Sequence, residues 1–350
     1  MFDQLTSWEN LYAAWRRAAK GKRGKIPASS FEYHLEDELL QIQKELIDQS
    51  YQPGCYRSFF IHEPKRRLIS AAPFRDRVVH HALCRVIEPI FERSFISDSF
   101  ANRIGKGTHR ALDRAQFFSR KYRYVLQCDI EQFFAAIDHQ ILTEILCRKI
   151  ADEKIQRLVA TILRSGEGVL QEEYALRYFP GDDLFAALRP RGLPIGNLTS
   201  QFWANCYLNP FDNFIKRELQ IPGYLRYVDD FLLFSNNKNE LWDAKRQIIK
   251  RLESFRLKIH ENKAQVRPVR EGTPFLGFLI FPTHRRLKRS KGVHFVRRLK
   301  NRIQLYQQGE IEFEQVKATI TGWINHVRFG DTWRLRGSIL SQNPIRTAHC

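Results

Sequence analysis

Apolar side chains recur every three or four positions over residues 8–18 and again over 31–49, where Phe31, Leu35, Leu39, Ile42 and Leu46 mark the stripe. At 3.6 residues per turn such positions return to one face, so the spacing predicts two amphipathic helices. The basic run from Lys20 to Pro27 between them reads as a loop. Residues 57–71 alternate around Glu63-Pro64-Lys65-Arg66, the pattern of two strands joined by a turn. Helical periodicity resumes from Phe74 through Phe91. A short apolar strand follows at Tyr124–Ile130, then a helix near 138–150. A second strand pair spans Tyr224–Ser235 with Asp229-Asp230 at its turn, and a helix over 239–256 leads into strands near 257–267 and 274–280. From about 286 the chain turns basic and amphipathic, predicting one helix there and another over 312–329. These elements predict an α+β unit over residues 1–285, including a helical extension over 1–50, and a small helical unit over 286–350.

Composition narrows the class. At 43% hydrophobic residues the chain can bury a core and is not a disordered segment. Fifty-seven Lys and Arg against 38 Asp and Glu give a formal charge of +19, which points to a polyanionic partner rather than a merely basic soluble protein. No apolar run approaches the ~20 residues of a membrane span, and the start lacks the basic-then-apolar pattern of a secretory leader. The six cysteines form no CxxC pair, which argues against a zinc ribbon or a disulfide scaffold. A reduced, cytoplasmic protein is the expectation.

Candidate chemistry lies in three acids. Asp229 and Asp230 are flanked on both sides by strand-forming apolar residues, a costly place for charge unless it is used or paired. Asp129 ends the strand at 124–130 in similar surroundings, whereas Asp182-Asp183 reads as a solvated loop pair. Three carboxylates at strand ends suit two Mg²⁺ ions, since hard cations prefer oxygen and a pair about 3.5–4 Å apart can serve an attacking hydroxyl and a leaving pyrophosphate. The plainer alternative is a surface turn whose acids cap backbone or pair with arginines.

These residues also match a family. Tyr227-Val-Asp-Asp230 between apolar strands resembles the signature of reverse transcriptases, and Asp129-Ile-Glu-Gln-Phe-Phe134 resembles their first catalytic motif. In the family's order, Phe74-Arg-Asp-Arg-Val-Val-His-His81 resembles a segment of bacterial, intron-like enzymes. Gly192-Leu-Pro-Ile-Gly-Asn197 resembles their template- and nucleotide-facing loop, and Phe275-Leu-Gly-Phe278 their primer grip. The resemblance covers roughly residues 50–280. Gly196-Asn-Leu-Thr-Ser-Gln201, with Gly322-Trp-Ile-Asn-His326 and Asp331-Thr-Trp-Arg334, is similar to the subgroup from diversity-generating retroelements. The length leaves no room for a further nuclease domain of usual size, which argues against a full intron maturase.

The resemblance implies a right-hand polymerase, fingers and palm to about 285 and then a helical thumb, that copies template RNA into cDNA from dNTPs. Asp129, Asp229, Asp230 and the Ile130 carbonyl would hold two Mg²⁺ ions, for which Mn²⁺ can substitute. Phe134 matches a steric gate against ribonucleotides, with core packing as its alternative. Lys65 and Arg66 match triphosphate-holding cations, Gly196 and Gln201 belong to the nucleotide-facing loop, and Lys263 is placed to protonate pyrophosphate. Ile195 stands where many retroviral relatives carry Gln; it can pack but cannot donate, and the expectation is low fidelity opposite template adenine. Arg75, Arg77, Phe275 and Gly277 are expected at nucleic acid, and Arg297, Arg298 and Lys300 on the basic helix are expected to track the cDNA/RNA duplex. An oligomeric accessory variability protein is the implied partner. The alternatives are another intron-like reverse transcriptase (from a retron, an antiphage system or a CRISPR locus) and a non-catalytic RNA-binding module.

Overall fold

The structure is a computed structural model that describes residues 1–62 and 66–345; Lys65 of the turn lies outside the described residues. Helices α1 (Phe2–Thr6) and α2 (Trp8–Ala19) open the chain, with the Ser7 hydroxyl accepting from the Asn10 N–H to cap α2. The helix expected over 31–49 is two helices, α3 (Ile26–Tyr33) and α4 (Leu35–Ile47), broken at His34. Helix α3 starts inside the expected loop because Pro27 falls in its first turn, where proline's fixed φ is already helical. The stripes of α2 (Leu11, Ala14, Trp15, Ala18) and α4 (Leu39, Ile42, Leu46) are buried as the periodicity predicts.

Strands β1 (Arg57–Ile61) and β2 (Arg67–Ala71) form an isolated antiparallel hairpin, largely exposed. Helices α5 (Phe74–Glu92) and α6 (Thr108–Lys121) follow it. Strand β3 (Tyr124–Asp129) comes next, then α7 (Phe133–Ala136), α8 (His139–Cys147), α9 (Glu153–Ser165) and α10 (Leu198–Asn213). Strands β4 (Gly223–Tyr227) and β5 (Asp230–Ser235) join β3 and, after α11 (Lys238–Glu253), β6 (Val266–Pro268) in an antiparallel sheet of order β4-β5-β3-β6. Alternation along β3 sorts the two cores: Leu126 and Cys128 enter the main helical core, while Val125 enters a second one with α6.

The strand expected over 257–267 is mostly a turn. Its polar run His260-Glu-Asn-Lys folds back so that Lys263 and Ala264 both donate to the His260 carbonyl. Strands β7 (Thr273–Phe275), β8 (Phe278–Ile280) and β9 (Arg285–Leu287) form a small second sheet. Helices α12 (Arg289–Gln307), α13 (Phe313–Val327) and α14 (Trp333–Ser341) enclose a third core, where Phe295 and Trp323 stack at 3.9 Å. Asp182 is not the solvated residue the loop pattern suggests: Arg256 grips both its oxygens, because the chain brings α11's exit against that loop. Among the described residues no helix is long and apolar enough to cross a membrane.

Candidate active site

Antiparallel register sets the three acids side by side. Asp129, the last residue of β3, pairs with Asp230, the first of β5, so the two project from the same face. Tyr227 pairs with Asp230 across the β4–β5 hairpin, leaving Val228 and Asp229 as a two-residue turn rather than Asp229-Asp230. The Ile130 N–H donates to the Asp229 carbonyl at 3.2 Å, which ties that turn to the end of β3.

The turn is strained and braced. Val228 has φ +57°, a left-handed conformation that a β-branched residue adopts at real cost. Beneath it Arg226, 1% exposed, donates to the Val228 carbonyl at 2.9 Å. The same guanidinium forms a two-pronged pair with Asp212 of α10, at 2.8 and 2.7 Å, and donates to Asn205 and Ser99. Asp212 also accepts from the Tyr224 hydroxyl at 2.6 Å. A fully paired buried arginine thus fixes the backbone on which Asp229 sits.

Burial pushes the carboxyl of Asp229 above its ordinary range, and the neighbouring Asp129 charge pushes it further. Asp230 is raised to about 7, chiefly by burial, with Asp129 and Asp229 adding repulsion against the opposing pull of a Gln127 hydrogen bond and the Lys288 charge. Among the described residues no three His, Cys, Asp or Glu groups gather closely enough to hold a metal ion by themselves. The acids instead face a cleft of about 880 Å³, which Arg66, Phe134, Ile195, His260 and Lys263 also line.

Comparison with known proteins decides what this cleft belongs to. The model of the family described as reverse transcriptase (RNA-dependent DNA polymerase) matches residues 61–280. The chain belongs to the reverse transcriptase family. Protein YkfC of Escherichia coli K12 is 24% identical over 284 residues, covering 69% of this chain and 71% of that protein. The group II intron-encoded protein LtrA of Lactococcus lactis is 26% identical over 212 residues, covering 60% of this chain; the chain spans only 33% of LtrA's length. In fold alone, apo telomerase from Candida tropicalis is similar with a TM-score of 0.51 at 12% identity, over 82% of this chain and 59% of that chain.

In this reverse transcriptase the loop over residues 192–197 is stitched to the hairpin β1–β2. Asn197, 2% exposed, donates to the Ser70 and Pro194 carbonyls at 2.9 and 3.0 Å and accepts from the Ala72 N–H at 3.0 Å. The Ser70 N–H donates to the Ile195 carbonyl at 2.8 Å. Gly196 has φ +120°, and a Cβ there would meet Ile69 at 3.1 Å, so glycine is required for both reasons. Gln201 lies in the first turn of α10 and does not line the cleft.

Other expected residues fall elsewhere. Arg75 is drawn into the N-terminal helices, paired with Glu45 at 2.8 Å and standing over the Tyr51 ring. Arg77 donates to the Ala72 carbonyl at 2.8 Å. Phe275 is fully buried in the second core and cannot touch nucleic acid; its strand alternation turns it inward, and Leu276 lines the cleft instead. Gly277 and Arg298 line a neighbouring groove of about 580 Å³ with His294 and His326, while Arg297 and Lys300 are exposed on α12.

Several contributors were not singled out in the sequence, Gln132 within its motif among them. Gln132, at φ +47°, donates to the Glu173 carbonyl at 2.9 Å and pins that loop to the cleft. The His260 N–H donates to the Asp129 carbonyl at 3.0 Å, and its Nδ1 lies 3.2 Å from Glu131. Arg226 offered the one visible signal, a charge inside the apolar run Tyr224–Phe234.

Proposed function

We propose that this chain is an RNA-directed DNA polymerase that makes error-prone cDNA in a diversity-generating retroelement. The observation that carries the polymerase reading is the convergence of Asp129, Asp229 and Asp230 on one cleft with Phe134, Ile195 and Lys263. Buried acids whose carboxyls are raised by burial and by one another are an incomplete site that a cation completes. Mg²⁺ keeps few protein ligands and takes others from substrate phosphates, so three acids open to the cleft are enough for it. Asp129, Asp229, Asp230 and the Ile130 carbonyl would hold two such ions, with Mn²⁺ able to substitute. When bound, they supply a more acidic primer hydroxyl and a stabilised leaving group.

The chain's own residues do the rest. The primer 3′-hydroxyl gives up its proton to solvent. Its oxygen forms a bond to the α-phosphorus of the dNTP while the bond from that phosphorus to the bridging oxygen of the β-phosphate breaks, and pyrophosphate leaves with that electron pair. Lys263 gives it a proton. Arg66 holds the triphosphate, and the Phe134 ring lies where a 2′-hydroxyl would go. Ile195 packs against the forming base pair without a hydrogen bond. A contact that differs between right and wrong partners discriminates by roughly 1–3 kcal/mol, and Ile195 forgoes it. With the string Gly196–Gln201, this supports the diversity-generating reading, together with an oligomeric accessory protein as partner and the basic face of α12 as a track for the cDNA/RNA duplex.

Primer extension on an adenine-containing RNA template with Mg²⁺, followed by product sequencing beside Asp229→Asn, tests the reading. Expected is cDNA that depends on Asp229, with errors concentrated opposite adenine and reduced in Ile195→Gln. A second reading, a faithful intron-type enzyme, is favoured by the likeness to LtrA; accurate cDNA selects it. Absence of product even with an accessory protein present leaves only an RNA-binding module.

A further inference from the structure

The sheet face that carries the carboxylates continues past them. Val125, Gln127 and Asp129 alternate onto one face of β3, and Arg267 on β6 pairs with Val125 across the ladder. Arg267 therefore shares the face of Asp129, about 13 Å farther along at 3.4 Å per residue. A pocket of about 300 Å³ lies there, walled by Gln127, Asn262, Lys263, Gln265, Arg267 and Thr273. Gln127 and Lys263 also line the active cleft, so the two hollows share a wall, and the Gln127 amide donates to Asp230 at 3.2 Å.

The two hollows differ in charge. Asp129, Asp229, Asp230 and Glu173 face the cleft, whereas among the described residues no carboxylate lines the pocket. Its side chains offer two cations and three amides; the Thr273 hydroxyl, which has no hydrogen-bond partner, is closed off from the hollow. The chemistry is that of an anion site beside a centre that releases an anion.

We propose that this pocket binds the pyrophosphate product as it leaves the active cleft, with Arg267 and Lys263 as its ligands. The inference rests on the polymerase reading. Lys263, on the shared wall, stays with the leaving group as it moves from a carboxylate-lined hollow to one without a carboxylate. The same donors would also suit the triphosphate of an incoming nucleotide, so the test must separate the two sources.

Primer extension by the full chain, with inorganic pyrophosphate added as inhibitor, does so. Arg267→Gln should raise the pyrophosphate concentration for half-inhibition about tenfold, the scale of one charge-assisted hydrogen bond, and slow pyrophosphorolysis alike. Thr273→Val, nearly isosteric and at a hydroxyl closed off from the hollow, should leave it unchanged. Arg270→Gln removes an equal charge outside the pocket and should match wild type. Without pyrophosphate, turnover and the KM for dNTP should stay unchanged in Arg270→Gln, and the KM for dNTP should not rise in step with the pyrophosphate response in Arg267→Gln. An unchanged pyrophosphate response in Arg267→Gln, or an equal effect of Arg270→Gln, overturns the proposal. A KM for dNTP that rises in step assigns the pocket to the incoming triphosphate and overturns it too. A wild-type chain that binds primer–template yet makes no cDNA removes the polymerase reading and the inference together; cDNA with an unaltered response removes the inference alone.

Discussion

Asp230→Asn should make the metal-free protein more stable while abolishing its polymerase activity. Burial and two neighbouring acids raise the Asp230 carboxyl to about 7, against an unfolded value near 3.9. Between those values the unfolded chain holds fewer protons than the folded one, so stability falls as pH rises, and the penalty is complete above about 7. Three units at ~1.4 kcal/mol each give as much as ~4 kcal/mol at pH 8, shrinking to ~1.5 kcal/mol at pH 5. Asparagine keeps the shape and can still accept from Gln127, but carries no charge to strand. With ~2.1 cal/mol/K per residue over the whole chain, ~4 kcal/mol corresponds to a Tm higher by about 5–6 °C. The assay is thermal unfolding in EDTA for both proteins from pH 5 to pH 8, repeated with Mg²⁺. Mg²⁺ at a hundred times its Kd should restore ~2.7 kcal/mol to wild type and less to the variant. A variant no more stable at pH 8 in EDTA, or a difference that ignores pH, refutes the view that these acids are held in mutual repulsion awaiting cations.

Three further outcomes are expected. Asp212→Asn strips the countercharge from buried Arg226 and should cost about 3–5 kcal/mol in urea unfolding. It should lower kcat more than the affinity for primer–template, because the Val228 carbonyl loses its firm anchor. Asn197→Ala removes two hydrogen bonds between its loop and the end of β2, at Ser70 and Ala72, and a third within the loop to Pro194; the KM for dNTP should rise severalfold while Ser58→Ala, which breaks only the Ser58–Ser70 hydroxyl pair, leaves it alone. Phe134→Ala should relax discrimination against ribonucleotides by roughly 10–200-fold in competition assays, as expected for opening a steric pocket; unchanged discrimination would return Phe134 to core packing.

The elements were legible where burial is one-sided. Helices α2, α11, α12 and α13 each present one apolar stripe to a core, and strands β3 to β5 are apolar runs bounded by polar turns, so period alone locates them. Reading failed where backbone bonding overrode pattern. A strand is expected over 257–267, yet the His260 carbonyl captures two N–H groups and closes a turn. Asp182 sits in a loop and is still paired, since loop composition says nothing about what packs against it. Phe275 belongs to the motif that resembles a primer grip, but a motif does not say which of its members faces inward.

The three clustered acids announce themselves because charge in an apolar strand is costly and so stands out. Their supports do not, and the reason is distance along the chain. Arg226 meets Ser99 across 127 residues, and Asn197 meets Ala72 across 125; no local spacing encodes either. The same distance explains why three non-glycine residues with positive φ, Gln132, Val228 and Leu276, can all line one cleft. Each strained conformation costs of order 1–3 kcal/mol and persists only when its surroundings over-determine it. At Val228 the over-determination is visible, in the Arg226 bond to its carbonyl and the Ile130 bond to the next one. Loosening that brace should therefore relax the turn before it unfolds the sheet. A variant such as Asp212→Asn would then lose turnover at temperatures where circular dichroism still reports a folded protein.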